Sequence, residues 1–247
     1  MKVSVAMAVY NGEKYINDQV KSILVQLKTD DELIVSIDKC TDKTEEFLRA
    51  IQQQDNRIKI FNNPYRPGVV KNFQNAVEHC TGDIIFYSDQ DDVWMSNKIE
   101  EVEKVFKNPR VAAVIHDAQL TDSNLNIIST STFKLRGGAR TSFWGNFVRL
   151  SYIGCCMAFR SIYKEVLTPI PTIYRSHDWW TGSMLACGKT KIIAIDKPLI
   201  LHRLHDGNVT PKIRPSLRYQ LSTRWIIFKN VIFRYKKKIQ LDKFLGL

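Results

Sequence analysis

The order of residues specifies an α/β protein: a Rossmann-like, mostly parallel central sheet with helices on both of its faces. Short runs of β-branched and apolar residues alternate with longer segments whose apolar residues recur at helical spacing. The runs "ELIVSI" at 32–37 and "DIIFYS" at 83–88 are apolar almost throughout, as strands covered on both faces are. Polar clusters close three of the runs: Tyr10-Asn11-Gly12, Asp38 to Asp42, and Asp89 to Asp92. In open α/β sheets, ligands gather at such carboxyl ends of strands.

Each element has its own signal. Lys2–Val9 reads as the first strand, and Glu13–Leu27 as a helix, with Ile16, Val20, Ile23, Leu24 and Leu27 on one stripe. "ELIVSI" is the second strand, followed by turn chemistry in "DKCTDKT" and a helix through Phe47 and Ile51. The strand "RIKIF", the helix "GVVKNFQNAVEHC" and the buried strand "DIIFYS" complete the regular half. Beyond it, "RVAAVIHDAQL" continues as a strand and "DSNLNIIS" as a hairpin. "SYIGCCMAFR" is strand-like, "HDWWTGSMLACG" opens a helix with Asp178 near its start, and "KIIAIDKPLILHRLH" reads as two short strands about Asp196–Pro198.

Composition narrows the class. The 247 residues are 44% hydrophobic and 11% aromatic, enough for a proper core without staples. Five cysteines make an odd count with no CxxC pair and no zinc spacing, which fits a reducing setting. The start "MKVSVAMAVYNG" is too short and too polar afterwards for a signal peptide, and no apolar stretch is long enough to span a bilayer. The net charge of +11 is uneven: from Pro211 onward ten Lys or Arg face one acid, Asp242. That tail holds +9, leaving +2 for everything before it.

The stretch "FYSDQDDVW" sets Asp89, Asp91 and Asp92 directly after a buried strand. Like charges at contact distance raise one another's pKa, so three acids in four residues need a cation among them. Mg²⁺ or Mn²⁺ fits, because each takes one or two carboxylates and leaves positions for substrate phosphates. An acidic cap on the helix starting near Ser96 is the plainer reading.

Here the sequence resembles a family: the inverting nucleotide-sugar glycosyltransferases of family 2, with the GT-A fold. "VSVAMAVYNGEKYINDQVKSIL" is similar to its N-terminal signature, "DELIVSIDKCTDKT" to its second strand and turn, and "PGVVKNFQNAVEHCTGDIIFYSDQDDVW" to the run into the metal motif. The likeness covers roughly the first 210 residues, and "SDQDDVW" and "HDWW" resemble bacterial rhamnosyltransferases most. It implies a glycosyltransferase domain over 1–210, with a nucleotide-binding half (1–115) and an acceptor half (116–210), followed by a basic amphipathic tail over 211–247.

The resemblance also implies roles. Ala8 and Tyr10 would line the base pocket, with Asn11, Lys71 and Gln90 also at the nucleotide-sugar, and Asp38 would accept from the pyrimidine N3–H. Asp89 would help hold ribose and metal, Asp91 would ligate the metal directly, and His205 would reach the diphosphate or metal. Asp178 would be the catalytic base, with His177, Trp179 and Gly154 toward the acceptor. Ile37, Lys39-Cys40 and Ala8 depart from the family's usual Asp, Gly-Ser and Pro or Thr, which bears on base selectivity.

Every assignment has a plainer competitor. Tyr10 suits packing, Asp38 and Asp178 suit helix caps, Lys71 and Asn72 an exposed helix face, His116-Asp117 a turn, and His205 the surface. Arg203 and Asn208 near His205 favour phosphate contact, and the Asn208 sequon has no secretion signal behind it. In the tail, Leu221, Trp225, Phe228, Ile232, Tyr235 and Ile239 make a helical stripe blurred by Ile226, Ile227, Val231 and Phe233. It suits packing on the body, an anionic lipid surface, or nonspecific phosphate binding, with no specific nucleic-acid motif beside it.

The expectation is a metal-dependent inverting glycosyltransferase. It would use a nucleotide-diphosphate sugar such as dTDP-rhamnose or a UDP-hexose, with Mn²⁺ or Mg²⁺ as cofactor. Its acceptor would be a glycan or lipid-linked glycan, met at the cytoplasmic face of a bacterial membrane. The alternatives are a non-catalytic nucleotide-sugar or membrane-binding module and a nucleic-acid-binding protein.

Overall fold

The computed structural model describes residues 1–149, 151–171, 177–207 and 216–244. Nine strands form one sheet in the order β3-β2-β1-β4-β8-β6-β9-β5, with β7 paired to β6. They are β1 (Val3–Val9), β2 (Glu32–Ile37), β3 (Ile58–Asn62), β4 (Ile84–Ser88), β5 (Val93–Trp94), β6 (Val111–Thr121), β7 (Ile127–Ser129), β8 (Met157–Arg160) and β9 (Lys191–Arg203). The helices are α1 (Ile16–Leu24), α2 (Thr44–Gln52), α3 (Val69–His79), α4 (Lys98–Phe106), α5 (Thr132–Leu135), α6 (Phe143–Val148), α7 (Lys164–Leu167), α8 (His177–Leu185) and α9 (Leu217–Phe244).

The first four strands pair in parallel, each joined to the next by a helix, as βαβ crossovers require. Both faces are buried. Val3, Val5, Met7 and Val9 of β1 join one core with Ile16, Val20 and Ile23 of α1; Ala6 joins the other with Phe73 and Val77 of α3.

The second half departs from the parallel expectation. After β6 the chain turns through β7, α5 and α6 and enters β8 from the opposite end, so β8 runs antiparallel to both β4 and β6. "SYIGCCMAFR" is a strand only over Met157–Arg160, since Gly154–Cys156 forms a 3₁₀ turn. "KIIAIDKPLILHRLH" is one strand rather than two. Ile195 pairs with His116 and Pro198 with Asp117, so Asp196 and Lys197 are extra residues accommodated as a bulge, where Pro198's missing N–H costs no ladder bond. "DSNLNIIS" does make the expected hairpin, β6–β7.

The tail forms a helix that packs on the body. Ile227 and Val231 are buried in the second core. Lys238 and Asp242 form a buried ion pair (2.8 Å), closed by Tyr163 Oη donating to Asp242 (2.9 Å) and Lys238 donating to Thr190 (2.8 Å). Arg234 caps the carbonyls of Val166 and Pro169. The blurred stripe has a physical cause: one side of α9 is apolar because it meets the body, yet Leu221, Trp225, Ile232 and Phe233 remain exposed elsewhere on it. No helix among the described residues is long and apolar enough to cross a membrane.

Candidate functional site

A cleft of about 550 Å³ opens at the carboxyl ends of β1, β2 and β4, lined in part by Ala8, Tyr10, Asp38, Gly68, Asn72, Asp89, Gln90 and Asp91. Tyr10 is 54% exposed, so it stands in the cleft mouth and not in the core. Gln90 clamps the Tyr10 backbone from both sides, accepting from its N–H and donating to its carbonyl, each at 2.9 Å. A Cβ on Gly12 would come within 2.6 Å of the Gln90 amide oxygen, so the clamp needs glycine there. Asn11, at φ +47°, ties this loop to the next by accepting from Thr41 N–H (2.8 Å).

Asp38 accepts from Asn63 Nδ2 (2.6 Å) and from the backbone N–H of Gly68 (2.9 Å) while lining the cleft. It thereby fixes the loop that forms the opposite wall. Lys71 is directed elsewhere, donating to Gln74 (2.6 Å) and the Ile170 carbonyl (3.3 Å). The next residue faces the cleft instead: Asn72 donates to the Val9 carbonyl (2.9 Å), and its buried Oδ1 has no partner among the described residues.

Beside this pocket lies the carboxylate cluster. Asp92 is fully buried; its Oδ1 accepts from His202 Nδ1 and from Arg203 N–H, both at 3.0 Å. Burial opposes the charge at Asp92, but His202 overrides it and holds the carboxyl below its ordinary value. Burial likewise opposes charge on His202, yet the Asp92 carboxylate lifts its pKa to about 10. Cys155 Sγ sits 3.7 Å from the same His202 nitrogen. Asp91 Oδ2 meets His205 Nε2 at 2.7 Å. Burial and the Asp92 charge still push Asp91 upward, with His205 pulling against them. Asp89 is raised well above the usual range, by burial first, then by Asp91 and Asp92.

Burial and mutual repulsion thus outweigh the pull of His202 and His205, and both Asp89 and Asp91 are raised. Two carboxylates and an imidazole nitrogen are donors that Mn²⁺ or Mg²⁺ accepts, so these residues fit a divalent cation.

Asp178 opens α8, and its carboxylate accepts from Trp179 N–H at 2.8 Å. Burial raises its pKa to about 6, with Arg136 acting the other way. Its charge is felt at Asp89, which puts the two carboxylates in one electrostatic neighbourhood. His177 stacks on Phe73 (3.7 Å between ring centres) and meets the Tyr87 edge (4.6 Å). Burial depresses its pKa to about 3, so it is neutral at physiological pH. A Cβ on Gly154 would lie 2.5 Å from His177 Nε2 and 3.7 Å from Asp178 Cβ, so the chain passes here in close contact with both. Trp179 is half-buried, while Trp180 is core, its indole N–H donating to the Leu167 carbonyl at 2.7 Å.

Residues 4–167 match the sequence profile of "Glycosyl transferase family 2". The chain belongs to that family. It is similar to the dTDP-rhamnosyl transferase RfbG of Shigella flexneri, at 28% identity over 222 residues that cover 82% of this chain and 72% of RfbG. It is 33% identical over 107 residues to the UDP-Glc:alpha-D-GlcNAc-diphosphoundecaprenol beta-1,3-glucosyltransferase WfgD of Escherichia coli, covering 43% of this chain and 42% of WfgD. Among solved structures, S. aureus TarS 1–349 in complex with UDP-GlcNAc superposes with a TM-score of 0.69 at 18% identity, covering 95% of this chain and 66% of that one. The last likeness bears on the fold, which is that of a GT-A glycosyltransferase. This family 2 chain spans about two thirds or less of the length of several such proteins.

Within the family 2 frame, the structure brings Ala8, Tyr10, Asp38, Asp89, Gln90 and Asp91 to one cleft and sets His205 on Asp91. Lys71 stays outside it, and Asn11 braces the loops from behind. His116 and Asp117 are also away from the cleft: Asp117 is buried and accepts from Thr132 Oγ1 (2.8 Å) and Phe133 N–H (2.9 Å), which organises the start of α5.

Arg203 departs from the phosphate-contact expectation. It is 4% exposed, donates to the Asp91 carbonyl (2.8 Å) and the Ser123 carbonyl (2.8 Å), and lies over the Tyr15 ring. Asn208 lies outside the described residues. Sequence reading missed His202 and Lys98. His202 sat in view three positions before His205, but only folding shows that it faces Asp92. Lys98 is fully buried against the Trp94 ring and donates to the Cys155 carbonyl at 2.7 Å, a contact 57 residues away in sequence.

Proposed function

We infer that this chain is a metal-dependent, inverting glycosyltransferase acting on a pyrimidine nucleoside diphosphate sugar. The observation that carries the reading is the pairing of two unlike carboxylate environments across one site. Asp91 is joined to His205 beside an Asp89 raised by burial and by its neighbours' charges, and Asp178 is kept buried with its pKa raised to about 6. When bound, a divalent cation at Asp89, Asp91 and His205 would neutralise charge on the departing diphosphate.

The protein's own residues do the rest. Ala8, Tyr10 and Asp38 hold the base, with Asp38 accepting from the pyrimidine N3–H through a lone pair left by its protein partners. Asn72 Oδ1 offers a further acceptor toward the donor. Asp178 takes the proton from the acceptor hydroxyl as that oxygen attacks the anomeric carbon, in one displacement. A carboxylate with a pKa near 6 is both deprotonated at neutral pH and a stronger base than an ordinary one. His177, neutral and stacked, shapes the acceptor side with Gly154 and Trp179.

RfbG is named for dTDP-rhamnosyl transfer and WfgD for transfer from UDP-Glc to a diphosphoundecaprenol-linked sugar. These names support dTDP-rhamnose or a UDP-hexose as donor here. The diphosphoundecaprenol in WfgD's name also supports a lipid-linked glycan acceptor here, which in bacterial surface polysaccharide synthesis would be met at the cytoplasmic face of the plasma membrane. The test is a thermal-shift panel of nucleoside diphosphates and their sugars, with and without Mn²⁺, followed by donor hydrolysis without acceptor. Metal-dependent stabilisation by one pyrimidine donor together with slow hydrolysis supports the reading. Metal-independent binding without turnover marks a binding module.

A further inference from the structure

The tail is not the only basic stretch poor in acids. Between Asp122 and Glu165 there is no Asp or Glu, while Lys134, Arg136, Arg140, Arg149, Arg160 and Lys164 are present. The fold brings this stretch against the first half of α9. Arg224 donates to the Val148 carbonyl (2.9 Å), and Phe228 of α9 packs 6.4 Å from Trp144 and 6.5 Å from Phe147, ring centre to ring centre. The result is a composite surface drawn from two elements that are far apart in sequence.

That surface is apolar where it faces outward. Trp144 is 64% exposed, Val148 74%, Leu221 63% and Trp225 57%. Four such side chains around one aromatic cluster exceed the scattered single exposures that ordinary surfaces carry. Arg149, directly after α6, and Arg218 and Lys229 of α9 stand exposed, and Lys229 lies 5.3 Å over the Trp225 ring. No acid occurs in α9 before Asp242.

We propose that the α6–α9 surface docks the protein on an anionic lipid bilayer. Tryptophan rings with an apolar body and a polar edge suit the headgroup boundary, and the long basic side chains can keep their charges at the phosphate level while their stems lie on the rings. A protein partner of ordinary composition would be expected to answer some of these cations with acids of its own; a bilayer answers them with lipid phosphates. The placement also fits the site. Six positions after Val148 the chain reaches Gly154, which touches His177 and Asp178, so docking on this face sets the proposed acceptor side beside the membrane. The docking goes beyond sugar transfer and does not depend on it, because vesicle binding needs neither donor nor metal.

The experiment is sedimentation of the full chain with vesicles of phosphatidylcholine alone or mixed with phosphatidylglycerol, at low and high salt. Binding is expected only to the anionic vesicles, and to weaken at high salt as screening shortens the reach of the charges. Trp144→Ser with Trp225→Ser should lower the bound fraction about tenfold or more, as should Arg149→Glu with Lys229→Glu. All four side chains are exposed, so donor hydrolysis and thermal unfolding should match wild type in both variants. Two variants of opposite chemistry guard against one that fails to fold. Binding to neither vesicle, equal binding to both, or unchanged binding by both variants overturns the proposal. So does self-association that disappears in the tryptophan variant while vesicles are ignored, which would make a second copy the occupant.

Discussion

Asp92 after β4 and Asp178 at the opening of α8 are both buried carboxylates, Asp178 acting by charge on the neighbouring Asp89, yet the two experience opposite surroundings. Asp92 is buried against an imidazolium and held low, and Asp91 touches His205. Asp178 has no ion pair among the described residues, and burial raises it to about 6 against the pull of Arg136. Burial alone makes a carboxyl a better base, whereas burial with a positive partner makes it a fixed charge or a ligand. The same chemical group thus takes two protonation tendencies from what stands next to it, which suits the two tasks proposed for it. Each of the following experiments breaks one side of that contrast.

Asp178→Asn should cost most. Turnover is expected to fall by about two to four powers of ten, the range for losing a general base, with donor affinity nearly unchanged. Steady-state kinetics beside donor titration checks this, and near-normal transfer would move the base elsewhere. On the paired side, His202→Gln leaves the fully buried Asp92 without its cation and should destabilise the fold by about 3–5 kcal/mol at neutral pH.

The pH dependence of that loss has a definite sign. His202 is raised from 6.5 to about 10, so its contribution is complete below 6.5 and disappears as pH rises through 10. Asp92 is depressed, so its share is present above the ordinary carboxylate value and lost as pH falls through its lowered folded pKa. Urea unfolding of wild type and variant should therefore differ strongly near pH 6 and converge near pH 10. A difference that stays constant across that range would remove the ion pair from the account.

Asp91→Asn should weaken metal-dependent donor binding by at least about a hundredfold, the upper range for losing a residue that merely orients a metal ligand. Titrating donor at several Mn²⁺ concentrations tests it, and unchanged metal dependence would place the cation on other ligands. The pH profile of kcat/KM should show an acid limb near 6 with about a tenfold loss per unit below it, as Asp178 takes up its proton. The limb should vanish from whatever activity Asp178→Asn retains.

Gly12→Ala is the mildest. Its Cβ would displace the Gln90 amide and cost the two bonds to Tyr10, about 1–3 kcal/mol in all. It should appear as a raised donor KM with little change in kcat.

The half of the molecule built from β1 to β4 was legible because its signals are local. Apolar runs, helical stripes and polar strand ends all fall within a few residues of one another, and the pairing they imply follows from short crossovers. The second half resisted because its determinants are remote. β8 is antiparallel through the route the chain takes after β6, and the bulge at Asp196–Lys197 exists only in relation to His116 and Asp117. In the site, residue types with a local pattern, such as Asp89, Asp91 and Asp178, could be named from sequence. His202, Lys98 and the outward turn of Lys71 depend on partners 57 to 110 residues away. The fate of the tail's one acid was hidden for a related reason: Asp242 pairs with Lys238 inside the protein, which leaves the tail's net +9 unchanged.

That inner pair also sets an order on how the protein comes into being. Tyr163, Thr190 and Lys238 all converge on or beside Asp242, and Ile227 and Val231 complete the core around Trp180. A ribosome delivers residues 1–88 first, and these can pair β1 to β4 with one another from local crossovers alone. The layer that carries α8, and with it Asp178, lacks its outer cover until residue 242 has been made. The cleft wall from β1 to β4 can thus assemble while synthesis is still under way, but Asp178, the proposed base, reaches its finished setting only near the end of translation. A half-made chain therefore has the cleft wall drawn from β1 to β4 before it has His202, His205 or Asp178.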